Sequence, residues 1–260
     1  MPERDGFDPG TPSWVDLTTP DPEGARRFYG ELFGWEHTEP GPVEETGGYA
    51  MFTANGKLVA GVGPVMQEGQ PSYWSTYFAT DDADALTERV TDNGGTVIVA
   101  PMDVMDAGRM AIYSHPDAGT FGAWQAGEHK GAQLVNEPVS LAWNALMTRN
   151  QDAANTFLHA VFGLRAQTDD FGGGPYTILM LGDAGVGGVS GMPPGVPDEA
   201  PAFWAVSFAV EDADATVARA QELGASVAMP ATDMAGVGRI ASLTDPYGAT
   251  FGIVQLAPQG

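Results

Sequence analysis

The strongest constraint in this sequence is that it is written twice. WVDLTTPDPEGARRFYGELFGWE from Trp14 aligns with WNALMTRNQDAANTFLHAVFGLR from Trp143. Trp14 meets Trp143, Leu17 meets Leu146, Thr19 meets Thr148, Ala25 meets Ala154 and Phe28 meets Phe157. Further on, Tyr49 meets Tyr176, and GRMAIYSHPDAGTFGAWQ from Gly108 meets GRIASLTDPYGATFGIVQ from Gly238. The copies stay about 130 residues apart, so the 260-residue chain is two homologous halves in tandem. The expected boundaries are 11–125 and 141–257, joined by AGEHKGAQLVNEPVS at 126–140. The mixed Gly, Glu, Lys and Asn content of that joint, with no periodicity, predicts an exposed connection.

Each half repeats again. Trp14 to Phe33 reads as a strand followed by a helix, and so does Trp74 to Gly94. In the latter, Asp81 and Asp82 can accept the free N–H groups at a helix start. Leu86 and Val90 then fall on one face, and Gly94-Gly95 ends the helix. EDADATVARAQELG from Glu211 copies this in the second half. Short strand-like runs follow each helix: YAMFTA, KLVAGV, TVIVAP, RMAIYS and FGAWQ. The chain is therefore α+β, with a βαβββ unit used four times.

Four such units resemble the vicinal oxygen chelate superfamily, which includes glyoxalases, bleomycin-resistance proteins and extradiol dioxygenases. TTPDPEGARRFYGELFGWE is similar to the family's entry helix. ATDDADALTERVTDNGG, HPDAGTF and TDPYGATF are similar to its later motifs. Tandem glyoxalase-like proteins of actinobacteria look most alike. The resemblance implies two glyoxalase-like domains whose curved mixed sheets form cups around a small ligand.

In metal-using members, the resemblance places ligands at the start of a unit's first strand and on its last strand. A first-strand ligand stands seven before an Asp. Counting back from Asp21 and Asn150 gives Trp14 and Trp143. The last-strand carboxylate falls on Gly122 and Gly252. Neither Trp nor Gly has a donor suited to a divalent ion. In the second and fourth units the count gives Trp74 and Trp204, or Ser75 and Ala205 if slipped by one residue. A one-residue slip reverses the face of a strand, so that facing stays open. His37, His115, His129 and His159 all lie away from ligand positions, so no metal and no cofactor is expected.

Other features bear on a pocket. Asp16 alternates with Trp14 and should share its face, where a carboxylate needs a partner. Tyr49 and Tyr176 recur as candidate pocket phenols on the third strands, and Tyr77 joins them as a candidate. The ligand-binding expectation is thus Trp14, Asp16, Tyr49, Trp74, Tyr77, Trp143, Tyr176 and Trp204, with no catalytic residue assigned. Arg109 and Arg239 recur at strand starts and read either as ion-pair partners or as anchors for an oxyanion.

Composition limits the partners. A net charge of −23 argues against nucleic acid and anionic membrane surfaces, which need basic patches. With no Cys, disulfides and thiolate chemistry are excluded. No apolar run is long enough for a membrane span, and the start MPERDGFDPG lacks a signal pattern. A cytoplasmic protein is expected, as a monomer or homodimer. Three functions stay open. One is binding of an apolar, aromatic or cationic small molecule, as in antibiotic sequestration or metal-free tailoring. Another is an enzyme, a glyoxalase-like lyase or a dioxygenase/hydroxylase-type oxidoreductase. The third is a structural or interaction protein whose cups its own tryptophans fill.

Overall fold

The structure is a computed structural model describing residues 3–67, 69–170 and 175–257. The first unit comprises β1 (Pro12–Thr19), α1 (Pro22–Phe33), β2 (Glu36–His37), the single-turn α2 (Val43–Thr46), β3 (Ala50–Ala54) and β4 (Lys57–Pro64). The second comprises β5 (Tyr73–Ala79), α3 (Ala83–Asp92), β6 (Thr96–Val104), β7 (Gly108–His115) and β8 (Gly119–Ala126). The third comprises β9 (Leu141–Thr148), α4 (Gln151–Phe162), β10 (Arg165–Asp170), β11 (Pro175–Leu181) and β12 (Ala184–Gly191). The fourth comprises β13 (Phe203–Ala209), α5 (Ala213–Glu222), β14 (Ser226–Met234), β15 (Gly238–Thr244) and β16 (Thr250–Leu256).

Capping explains where the four long helices begin. Asp21, Asp82, Asn150 and Asp212 each accept a backbone N–H of the first turn through their side chain. Gly34 and Gly163 close α1 and α4 in the left-handed conformation, at φ 71° and 72°.

Each half is one eight-stranded mixed sheet, ordered β2-β3-β4-β1-β5-β8-β7-β6 and β10-β11-β12-β9-β13-β16-β15-β14. The first strands of the paired units, β1 with β5 and β9 with β13, run antiparallel at the centre. Each is flanked by the last strand of its own unit in parallel.

One face of each sheet is buried against the other half. Val15, Leu17, Trp74, Thr76 and Phe78 all point there and are buried. Thr76 Oγ1 donates to Asn144 Oδ1 at 2.8 Å across the halves. One core cluster joins Tyr29, Phe33 and Trp35 with Phe208 and Phe251, so the first unit packs on the fourth. A second joins Phe78 and Phe121 with Phe157 and Leu158, so the second unit packs on the third. The halves thus share two hydrophobic cores. Among the described residues no helix is long and apolar enough to cross a membrane.

The joint between the halves differs from its expected exposure. Ala132, Leu134 and Val135 are buried. Backbone N–H groups of Gly127, Ala132 and Gln133 donate to Ala107, Ser13 and Leu58. Its small and branched side chains let it lie across one end of the first sheet, a fit that polar composition does not reveal.

Candidate functional site

The helix caps settle the register that the sequence leaves open. Seven residues before Asp21 and Asp82 stand Trp14 and Ser75; before Asn150 and Asp212 stand Trp143 and Ala205. The strand ladder agrees, because Asp16 lies opposite both Gly61 and Ser75, and Trp14 opposite Tyr77, which lies opposite Gly122. Residues directly opposite share a face. One row of the first cup is therefore Met51, Gly61, Asp16 and Ser75. The next is Trp14, Tyr77, Gly122 and Ile112.

Trp74 and Trp204 face the other way. The Trp74 Nε1–H donates to the Tyr29 hydroxyl at 3.1 Å, and Tyr29 donates to Asp245 Oδ2 at 2.9 Å in the shared core. Trp204 Nε1–H donates to the Ala118 carbonyl at 3.0 Å. Both indoles are core residues with their polar atom satisfied, so they stand outside the cups.

On the first cup's floor the Trp14 Nε1–H donates to the Tyr49 hydroxyl at 2.9 Å. Tyr49 stands just before β3 rather than within it, and its ring lies over Gly61 and Gly63, where a side chain would collide with it. Tyr77 occupies the room left by Gly122 in the same way. These glycines are spaces for phenol rings. Asp16 sits between the two phenols. Burial pushes its carboxyl up to about 6, opposed by hydrogen bonds from Tyr77 and Ser75. Oδ1 of Asp16 is shielded from solvent and has no hydrogen-bond partner. Burial, then the neighbouring Asp16 charge, holds the Tyr49 and Tyr77 hydroxyls well above the ordinary phenol range, so both are neutral donors.

The joint closes one end of this cup with His129. Its imidazole meets Trp14 edge to face, with ring centroids 4.4 Å apart, and Trp124 at 5.4 Å. Its backbone carbonyl accepts from Trp124 Nε1 at 2.8 Å. Neither ring nitrogen has a partner, and burial lowers its pKa to about 4. His129 is a neutral aromatic plug. Its role is invisible in sequence because it comes from a segment with no periodicity. A cavity of about 180 Å³ lined by Phe7, Ser13, Asp81 and Lys130 lies behind Trp124 at this end, away from Asp16.

The second cup keeps only part of this set. Trp143 Nε1–H donates to the Tyr176 hydroxyl at 2.6 Å, and Tyr176 lies over Gly188. The equivalent rows are Ile178, Gly188, Ala145 and Ala205, then Trp143, Ser207, Gly252 and Ser242. Asp16 is replaced by Ala145, and Tyr77 by Ser207. Trp143 is half-buried, whereas Trp14 is 4% exposed.

The other sequence candidates fall outside the cups. Arg109 pairs with Asp84 and Asp103 at 3.2 and 2.9 Å, and Arg239 with Asp214 and Asp233 at 2.7 and 2.9 Å. Both tie a helix start to a strand pair. His115 stacks on Phe157 at 4.1 Å, His159 bonds the Leu164 carbonyl, and His37 bonds the Thr38 carbonyl. Among the described residues no three His, Cys, Asp or Glu side chains converge as a metal site. The donors at the family's ligand positions do not fit a divalent ion. Trp14, Ser75 and Gly122 line one cup, and Trp143, Ala205 and Gly252 the other.

Paired βαβββ units that join first strand to first strand define a cup-forming, glyoxalase-type fold. The chain belongs to the Glyoxalase/Bleomycin resistance protein/Dioxygenase superfamily, whose model matches residues 11–124 and again 140–253. It is 44% identical over 265 residues to "Putative glyoxylase CFP32" of Mycobacterium tuberculosis (strain CDC 1551 / Oshkosh), covering 100% of both chains. It is 42% identical to "Anthracycline biosynthesis protein DnrV" of Streptomyces peucetius, covering 96% of this chain and 94% of that one. Its fold is similar to the Mn(II)-bound glyoxalase of Novosphingobium aromaticivorans, with a TM-score of 0.66, 17% identity and coverage of 95% and 82%.

Proposed function

We propose that the protein binds a small apolar or aromatic molecule in its cups without a divalent metal ion. The observation that carries this reading is the change of chemistry at the ligand positions. Aromatic rings and the glycines that seat them stand where nitrogen and carboxylate donors would be needed. Trp14, Asp16, Tyr49 and Tyr77 in the first cup, with Trp143 and Tyr176 in the second, are the proposed contacts. Such a lining, mostly apolar with a few convergent polar groups, suits a small-molecule site. Kinship with a protein named for anthracycline biosynthesis supports a polycyclic aromatic ligand. The shared cores between the halves support the halves acting as one unit, as a monomer or as a subunit of a homodimer.

Tryptophan-fluorescence titration with a panel of planar aromatic compounds tests this. Saturable quenching that weakens in Trp14→Ala or Trp143→Ala is expected; no saturable quenching overturns it. Metal analysis of the purified protein tests the other half of the reading, and stoichiometric Mn, Ni, Zn or Fe overturns it. A second reading, a metal-free enzyme, has one observation in its favour. Asp16 is a shielded carboxylate with a free oxygen beside two neutral phenols, a set able to move a proton. Turnover of a bound compound, lost in Asp16→Asn, would establish it.

A further inference from the structure

We infer that the two cups are not equivalent sites, and that the first alone takes a cationic aromatic ligand with an N–H donor, seated on Asp16 Oδ1. This rests on the small-molecule reading above and names the ligand class and the cup. Asp16 lies opposite Ser75 on β5, one residue pair from Tyr77 on the same face. Its Oδ1 is shielded yet unpartnered. A buried acceptor left unpaired costs on the order of 1–3 kcal/mol, so the arrangement is complete only with a donor from outside the chain. Tyr49, before β3, flanks Asp16 above Gly61 of β4, and Ser75 and Tyr77 face it from β5. Tyr73 stands near Tyr77. Those phenols are neutral, and no Lys or Arg ion pair reaches Asp16 among the described residues. His129, the other titratable group of this cup, is neutral and packs on Trp14 rather than on the carboxylate.

A cation therefore meets no competing positive charge. It meets a carboxylate set among the aromatic rings of Trp14, Tyr49 and Tyr77, and aromatic rings attract cations through their quadrupoles. The net charge of −23 raises the local concentration of cations around the whole molecule. The second cup offers Ala145 and Ser207 at the matching positions and cannot supply this anchor. A cationic N–H donor is a better match than a neutral one because charge-assisted hydrogen bonds are about twice as strong.

Calorimetric titration with 9-aminoacridine, a planar cation at neutral pH, and acridone, its neutral planar counterpart, separates the possibilities. The wild-type chain is expected to bind one 9-aminoacridine at the high-affinity site. Asp16→Asn should weaken that binding roughly 10-fold or more, the loss of one charge-assisted hydrogen bond. Acridone affinity should be unchanged by the same substitution. Lowering the pH below 6 should weaken 9-aminoacridine binding in the wild type and leave Asp16→Asn flat. A thermal melt confirms that Asp16→Asn is folded, and Ala145→Trp, which fills the second cup, should leave the high-affinity site intact. Two equal sites, loss of the high-affinity site in Ala145→Trp, or wild-type 9-aminoacridine affinity in Asp16→Asn overturns the inference. Binding of acridone with no preference for the cation overturns it while sparing the small-molecule reading. Binding of neither compound overturns both.

Discussion

The two halves keep the same indole-to-phenol hydrogen bond, Trp14 to Tyr49 and Trp143 to Tyr176, yet surround it differently. In the first cup that pair is walled in by Tyr77, Trp124 and His129 and lies next to a carboxylate. In the second, Ser207, Val254 and Ala145 stand at the equivalent sheet positions. A duplicated scaffold has thus retained one aromatic contact as a shared element and let its neighbours diverge, toward a carboxylate among phenols in one copy and toward alanine and serine in the other. The inner faces, where the halves pack, are mostly apolar, and their buried polar groups are paired with one another, Thr76 with Asn144 and Tyr29 with Asp245 and Trp74.

The largest effect that could break this comparison is on stability. Trp14 is 4% exposed, enclosed by His129, and satisfied by Tyr49. Trp14→Ala leaves a large void and an uncovered phenol, and should cost about 4 kcal/mol. Trp143 keeps one side open, and Trp143→Ala should cost roughly half as much, in proportion to the smaller area it removes from water. Urea unfolding of the two variants measures both. Equal losses would mean that the cups are equally enclosed.

The second effect is a pH dependence that only the first cup can have. Asp16 has a folded pKa of about 6, above its unfolded value, so the folded state holds more protons and stability falls as pH rises through that interval. His129 has a folded pKa of about 4, below its unfolded value, so there the unfolded state holds more protons and stability rises with pH over a similar interval. Each contribution is on the order of 2–3 kcal/mol and their signs oppose. Asp16→Asn should therefore make stability climb more steeply between pH 4 and about 6 than in the wild type, and His129→Phe should make it decline. Thermal melts across pH check this. Parallel profiles for all three proteins would show that neither group is buried as described.

How much of this was legible in the sequence follows from what repeats. The βαβββ units and the shared helix caps were readable because Asp21, Asp82, Asn150 and Asp212 recur at fixed distances from apolar runs. Trp14, Asp16 and Trp143 could be placed on one face by alternation from those caps. The facing of Trp74 and Trp204 could not. In Tyr-Trp-Ser and Phe-Trp-Ala, large residues sit on both faces and alternation gives no contrast. His129 was hidden for another reason. Its contacts with Trp14 and Trp124 depend on the path of a connecting segment, which local pattern does not encode. Gly122 and Gly252 read in sequence only as missing ligands; that Gly122 seats the Tyr77 ring appears once the opposing strand is in register.

Those glycines sharpen the contrast at a smaller scale. A methyl group added at Gly122 would run into the Tyr77 ring, which is fixed between strands, so Gly122→Ala should cost about 2 kcal/mol through overpacking. At Gly252 the same methyl meets the Ser207 hydroxyl, which can rotate away, and Gly252→Ala should cost less than about 1 kcal/mol. Differential scanning calorimetry of the two variants resolves the difference. If Gly252→Ala proves the more damaging, the second cup is the more tightly filled.

The smallest effect should be the same in both halves. Arg109 and Arg239 each clamp two carboxylates, one at a helix start and one on the adjoining strand, although Arg239 makes two bonds to Asp214 where Arg109 makes one to Asp84. These carboxylates are largely exposed, and ion pairs of that kind are weak and screened by salt. Arg109→Ala and Arg239→Ala should therefore lower thermal stability slightly and equally, less than any change above, and the loss should shrink in high salt. Neither should alter aromatic-ligand affinity, because both guanidinium groups are already committed to carboxylates away from Asp16 and Trp143. A ligand-affinity loss in one variant alone would move its arginine from scaffold to site, restoring the oxyanion-anchoring role in that half. Equal, salt-sensitive losses would instead show that the scaffold stayed symmetric while the cups diverged.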